Sequence, residues 1–253
     1  MPSNKKLLQA AAGNAGESLY VEDVFSTYLY AGNDNVAFDI TNNIDLAGEG
    51  GLVWIKVRDA TYDNNVFDTE RGANEWLETN TTLGEQTATN KVDAFNADGF
   101  SLGTNTLVNG GTDKNYASWT FRKAEKFFDV VTWTGDNSSG EYRQIAHNLG
   151  STPAAILLKK TSAAQNWYVY HKDTAQPSDT DYATHGAYLN LNNTNAKNFS
   201  NGAFPKVGTS SGGVTAVYDS SVFTVGEDLN QSGTTYVAYV FAHDAGGFGD
   251  DDE

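Results

Sequence analysis

From Phe25 onward polar and apolar residues alternate, so that Phe25, Thr27 and Leu29 share one side of an extended chain and Ser26, Tyr28 and Tyr30 the other. A period of two marks a strand with one face on a core. Gly32-Asn33-Asp34-Asn35 then supplies residues that tolerate unusual backbone angles, and residues 36–40 resume an extended pattern, so the two segments read as a hairpin. After the breaker cluster Ala47-Gly48-Glu49-Gly50-Gly51 comes Leu52-Val53-Trp54-Ile55-Lys56, a continuous apolar run that predicts a central strand buried on both faces. The whole pattern then returns. Phe25, Gly32, Leu46 and Lys56 recur as Phe128, Gly135, Leu149 and Lys159, each 103 positions later, and Ala155-Ile156-Leu157-Leu158-Lys159 takes the place of the central run.

The repeat continues with residues 65–68 on 168–171, residues 92–103 on 215–226 (Phe100 on Phe223) and residues 116–121 on 236–241. Every insertion falls between apolar strands, as expected of loops on a fixed scaffold. The pattern predicts an all-β chain of two tandem antiparallel β-sandwich, jelly-roll-like modules, at residues 17–125 and 126–249. A short arm, residues 1–16, precedes them, and an acidic tail, residues 250–253, follows. Residues 123–127 are the only link between the modules, short enough to hold them against each other.

Composition agrees with strands and tight turns: 13 Tyr, 13 Phe, 5 Trp and 25 Gly favour pleated surfaces over helices. The net charge of −16 repels nucleic-acid phosphates and anionic lipid, which argues against nucleic acid as a partner. No segment approaches the roughly 20 apolar residues of a helical membrane span, so membrane insertion is not expected. Without cysteine there is no disulfide framework and no thiolate chemistry.

Candidate chemistry is sparse. Asp68 and Glu70 lie two apart after a strand, as a glycosidase acid pair would, but their counterparts are His171 and Asp173, so no acid pair recurs and solvated edge charges explain them better. His147, His171, His185 and His243 all lie in the second module without metal-ligand spacing, and Asn96-Ala97-Asp98-Gly99 lacks the spaced acids of a calcium loop. No catalytic set, cofactor site or metal site is expected. Trp54, Trp76, Trp119 and Trp133 align with aromatic or apolar residues of the other copy and read as packing, whereas Trp167 aligns with Asn64. Together with Tyr168, Tyr170 and Tyr182 it is therefore the candidate for a surface glycan contact. In the arm, Lys5, Lys6, Leu7 and Leu8 are the candidate docking residues.

YVEDVFSTYLYAGN, NIDLAGEGGLVWIK, FDTERG, TWTGDNSSGEYRQIAHNLGSTPAAILLKK and NWYVYHKD together resemble repeat modules in virion and tail-fibre-like proteins of marine tailed bacteriophages. The likeness covers nearly all of the chain after residue 16. It implies a non-enzymatic virion surface protein (a tail fibre, knob or capsid decoration) assembled in the host cytoplasm. The implied partners are other virion proteins through the arm, further copies of the chain in the particle, and host-surface glycan. A plain lectin module or an envelope-polysaccharide glycosidase is the alternative.

Overall fold

The computed structural model describes residues 19–136 and 141–243. They form an all-β molecule of antiparallel sheets, with helix confined to single turns such as Val21–Val24 and Leu46–Glu49. In the first half a six-stranded sheet runs in the order β1 (Phe25–Ala31), β9 (Asn115–Arg122), β3 (Gly51–Val57), β4 (Asn65–Asp68), β5 (Glu75–Glu78), β6 (Gln86–Thr87). A three-stranded sheet of β2 (Phe38–Thr41), β8 (Gly99–Leu102) and β7 (Val92–Asn96) lies against it. In the second half the six-stranded sheet runs β10 (Phe128–Thr134), β19 (Thr235–Ala242), β12 (Pro153–Lys160), β13 (Tyr168–His171), β14 (Ala187–Asn190), β15 (Asn198–Phe199). Facing it are β11 (Arg143–Ala146) and β18 (Val222–Val225), with a small hairpin of β16 (Ser210–Ser211) and β17 (Val214–Thr215) alongside.

The two large sheets have matching strand orders, and particular contacts recur between them. Tyr30 stacks on Tyr116 at 5.0 Å and 9°, and Trp133 stacks on Tyr236 at 5.2 Å and 14°. The Tyr116 hydroxyl accepts from the Gly110 amide at 2.9 Å, and the Tyr236 hydroxyl from the Gln231 amide at 3.1 Å. A Cβ at Gly32 would overlap the Gly110 carbonyl oxygen, and one at Gly135 that of Gln231, so both positions exclude any other residue by close backbone approach.

The hairpin expected from residues 25–40 does not form. β1 pairs with β9, and β2 with β8, so the chain crosses from the large sheet to the small one between them. The turn makes the crossing: Asp34 and Asn35 adopt φ of 51° and 62°, and the Gly32 and Asp34 amides donate to Lys114 and Gly110 rather than to a neighbouring strand. The central run behaves as its apolarity predicts. β3 lies between β9 and β4, with Val53, Ile55 and Val57 in the core against the small sheet and Leu52 on the opposite face.

That opposite face is the main architectural surprise. Beyond one core per half, a third core of Leu52, Val66, Leu77, Phe128, Val130, Trp167, Val237 and Tyr239 packs the two large sheets together. Phe121, Phe128 and Phe241 meet at its edge, with ring centroids 5.0–5.6 Å apart. The short link thus leads directly into packed aromatic surface. Polar contacts seal the junction: the Tyr239 hydroxyl donates to Asp68 at 2.8 Å, and the Lys159 amine donates to the carbonyls of Thr82, at 2.9 Å, and Gln165.

Trp167 belongs to this junction, which corrects its reading as a surface contact. It is 0% exposed, its ring stacks on Tyr239 at 6.2 Å, and its indole N–H donates to the Glu78 carbonyl at 2.8 Å. It lacks a counterpart in the first half because it fills a space between the halves.

Candidate functional site

A concavity sits in the second half, where the segment 172–186 after β13, residues 204–207 and Tyr218 converge. It is a cleft of about 190 Å³. Its apolar floor comes from Tyr170, which stacks on Tyr218 at 4.6 Å and 3° and lies 5.5 Å from the Phe204 ring. The carbonyls of Pro205 (3.1 Å) and Thr224 (3.0 Å) hold the Tyr218 hydroxyl and so fix that ring. Gly186 lets the two walls close: a Cβ there would overlap the Phe204 carbonyl oxygen. Burial, and secondarily Asp173, push the Tyr170 phenol up to about 12, so it stays a neutral donor across physiological pH.

The rim is cationic and aromatic. The Lys206 amine lies 4.1 Å from the centre of the Tyr182 ring and donates to the Tyr182 carbonyl, and Tyr182 itself is 36% exposed. His171, Lys172 and His185 add to the lining, and among the described residues no Asp or Glu contributes to it. His171 Nδ1 accepts from the Asp173 amide at 3.2 Å, and His185 Nδ1 lies 2.8 Å from the Thr184 hydroxyl, which leaves the Nε2 edge of each ring outside these bonds. Lys172 pairs with Asp173 at 2.8 Å just beyond the lining.

Of the expected glycan contacts, the cleft therefore brings together Tyr170 and Tyr182. Trp167 is buried at the junction, and Tyr168 faces the second-half core, packed on Tyr188 at 5.0 Å. The parity of a strand explains the separation: Tyr168 and Tyr170 share the inner face of β13, but only Tyr170 lies at the end where the loops open. Lys206, His185 and Tyr218 were not expected here. The signal for Lys206 and His185 was their place in second-half insertions of an acidic chain, whereas Tyr218 lies in a matched segment, on Phe95.

Asp68 and Glu70 do not form an acid pair. The Asp68 side chain is 0% exposed, 2.6 Å from Arg71 Nε, and accepts the Tyr239 hydroxyl. Arg71 also pairs with Glu85 at 3.1 Å, and Glu70 pairs with Lys123 at 2.7 Å. Asp68 is thus a buried structural anion rather than the solvated edge charge expected. His147 lies in the core against Phe223, with Nδ1 accepting from the Leu149 amide at 3.2 Å. Ala97 and Asp98 form the tight turn between β7 and β8. Among the described residues no group of three or more His, Asp or Glu side chains is placed to hold a metal ion. Lys5, Lys6, Leu7 and Leu8, the arm they belong to and the acidic tail lie outside the described residues.

The model of a family described as a domain of unknown function, DUF7483, matches residues 21–250, and the chain belongs to that family. No curated protein and no solved structure matches the chain.

Proposed function

Proceeding from membership in a family of unknown function, we propose that the chain is a non-enzymatic virion surface component that binds saccharide through the second-half cleft. The virion assignment rests on the repeat strings quoted above. The observation that carries the binding reading is the lining itself: tyrosine faces beside cationic donors, without a carboxylate. A flat phenol ring stacks on a pyranose face, and neutral hydroxyls and amines donate to its oxygens. Most glycoside hydrolases use two carboxyl groups flanking the scissile bond. Among the described residues no carboxylate lines the cleft, the neighbouring Asp173 is paired with Lys172, and Asp68 is engaged by Arg71 and Tyr239, so the reading is binding without turnover.

The test is a saccharide array with the purified chain, followed by titration of the strongest binder. Tyr182→Ala, which removes an exposed ring and leaves the core intact, is expected to weaken binding about tenfold, equivalent to about 1.4 kcal/mol. Saturable binding unaffected by Tyr182→Ala would move the site elsewhere. Release of shorter saccharides would replace the reading with an enzymatic one.

A further inference from the structure

On the inner face of the first large sheet, β4 and β5 set Asn65 directly opposite Glu78. Strand alternation puts them there: Asn65 shares a face with Phe67 and Glu78 with Trp76, while Val66 and Leu77 point into the junction between halves. Lys91, immediately before β7, completes the group, with its amine 2.6 Å from Asn65 Oδ1 and the Trp76 ring lying against it. Exposures of 1%, 7% and 2% for Asn65, Glu78 and Lys91 place all three out of water.

A buried ammonium is costly, and the usual remedy is a carboxylate at hydrogen-bond distance. Here the amine meets a carboxamide instead. Burial lowers the Lys91 pKa to about 7, against the opposing pull of Glu78 and Asp63, so a large share of the amine is neutral and nucleophilic near neutral pH. The target is held still. Asn65 Nδ2 donates to the Asp63 carbonyl at 3.0 Å, which fixes the amide with its oxygen toward Lys91 and its carbon one bond further on. The Glu78 carboxyl is itself positioned by the Thr81 hydroxyl at 3.0 Å.

We propose that Lys91 and Asn65 form an intramolecular isopeptide bond, with the Glu78 carboxyl on the same sheet face nearby. The Nζ lone pair attacks Asn65 Cγ, and the Cγ–Nζ bond forms. A proton passes from Nζ to Nδ2, the Cγ–Nδ2 bond breaks, and one ammonia leaves. One amide replaces another, so no oxidant or reductant is required. Trp76 covers the amine and keeps out the water that would compete as nucleophile. The bond ties the large sheet to the segment entering the small sheet, closing a loop between positions 26 apart. In the repeat, Asn65 corresponds to Tyr168, so the cross-link is particular to the first half.

The decisive measurement is the intact mass of the purified full-length chain after incubation at pH 8, with tandem mass spectrometry of its tryptic digest. The wild type is expected to be lighter than Lys91→Arg by one ammonia, after correction for the substitution, and to yield a peptide joined between Asn65 and Lys91. Asn65→Ala should leave no joined peptide. A folded wild type at its full sequence mass overturns the proposal, as does ammonia loss confined to an unlinked Asn65 peptide.

Discussion

In the first half residues 69–74 join β4 to β5, and their charged side chains are held by partners: Arg71 between Asp68 and Glu85, Glu70 on Lys123. In the second half residues 172–186 make the corresponding connection between β13 and β14, and they open outward as a wall of the cleft. The same divergence appears inside. Where the first half packs Asn65, Glu78 and Lys91 beneath Trp76, the second sets Tyr168 against Tyr188. On a shared strand order, loop chemistry is constrained where a connection meets the other half and diverges where it meets solvent. The first half tightens, and the second extends.

Breaking the junction should have the largest effect on this contrast. Trp167→Ala empties a fully buried indole site shared by both halves and is expected to cost about 3–5 kcal/mol in denaturant unfolding. A loss below about 1 kcal/mol would mean that the halves do not depend on this contact. Asp68→Asn comes next. It leaves the Arg71 guanidinium, whose side chain is 5% exposed, with Glu85 as its remaining carboxylate, and about 3 kcal/mol of destabilisation is expected from the same measurement.

The smallest expected effect lies in the second-half core and depends on pH. Burial holds the His147 imidazole below its ordinary value, so the unfolded chain takes up its proton first as pH falls. Its contribution is fully present above about 6.5 and is lost as pH drops through the lower folded value. Melting temperature measured between neutral and mildly acidic pH should therefore fall more steeply for the wild type than for His147→Gln. Parallel slopes would assign acid sensitivity to the carboxylates alone.

Much of the scaffold was legible because strands announce themselves by parity. Residues 52–56 read correctly as an interior strand, since apolar side chains on both faces require packing on both faces. The pairing of β1 was not legible, because its partner β9 lies far along the chain while the turn at Gly32 resembles a local reversal. The cleft was half visible: Tyr170 and Tyr182 stood out as aromatics grouped with the unmatched Trp167, but which of them faced solvent depended on loop paths that no periodicity encodes. Trp167 misled for the same reason, since a residue without a counterpart is as apt to fill the space between copies as to face a ligand. Asn65, Glu78 and Lys91 passed unnoticed among ordinary polar residues. Their parity with Phe67 and Trp76 was the available signal that two of them pointed inward.

The bond from Tyr239 to Asp68 spans 171 positions. At about 5–20 residues per second of synthesis, a growing chain presents the outer face of its first large sheet for roughly 10–30 s before Tyr239 exists to cover it. Leu52, Val66 and Leu77 form an apolar surface during that interval, and neighbouring nascent chains carry the same surface. The junction that stabilises the finished molecule therefore makes its unfinished form prone to aggregation, so yield should depend on how quickly the second half is delivered.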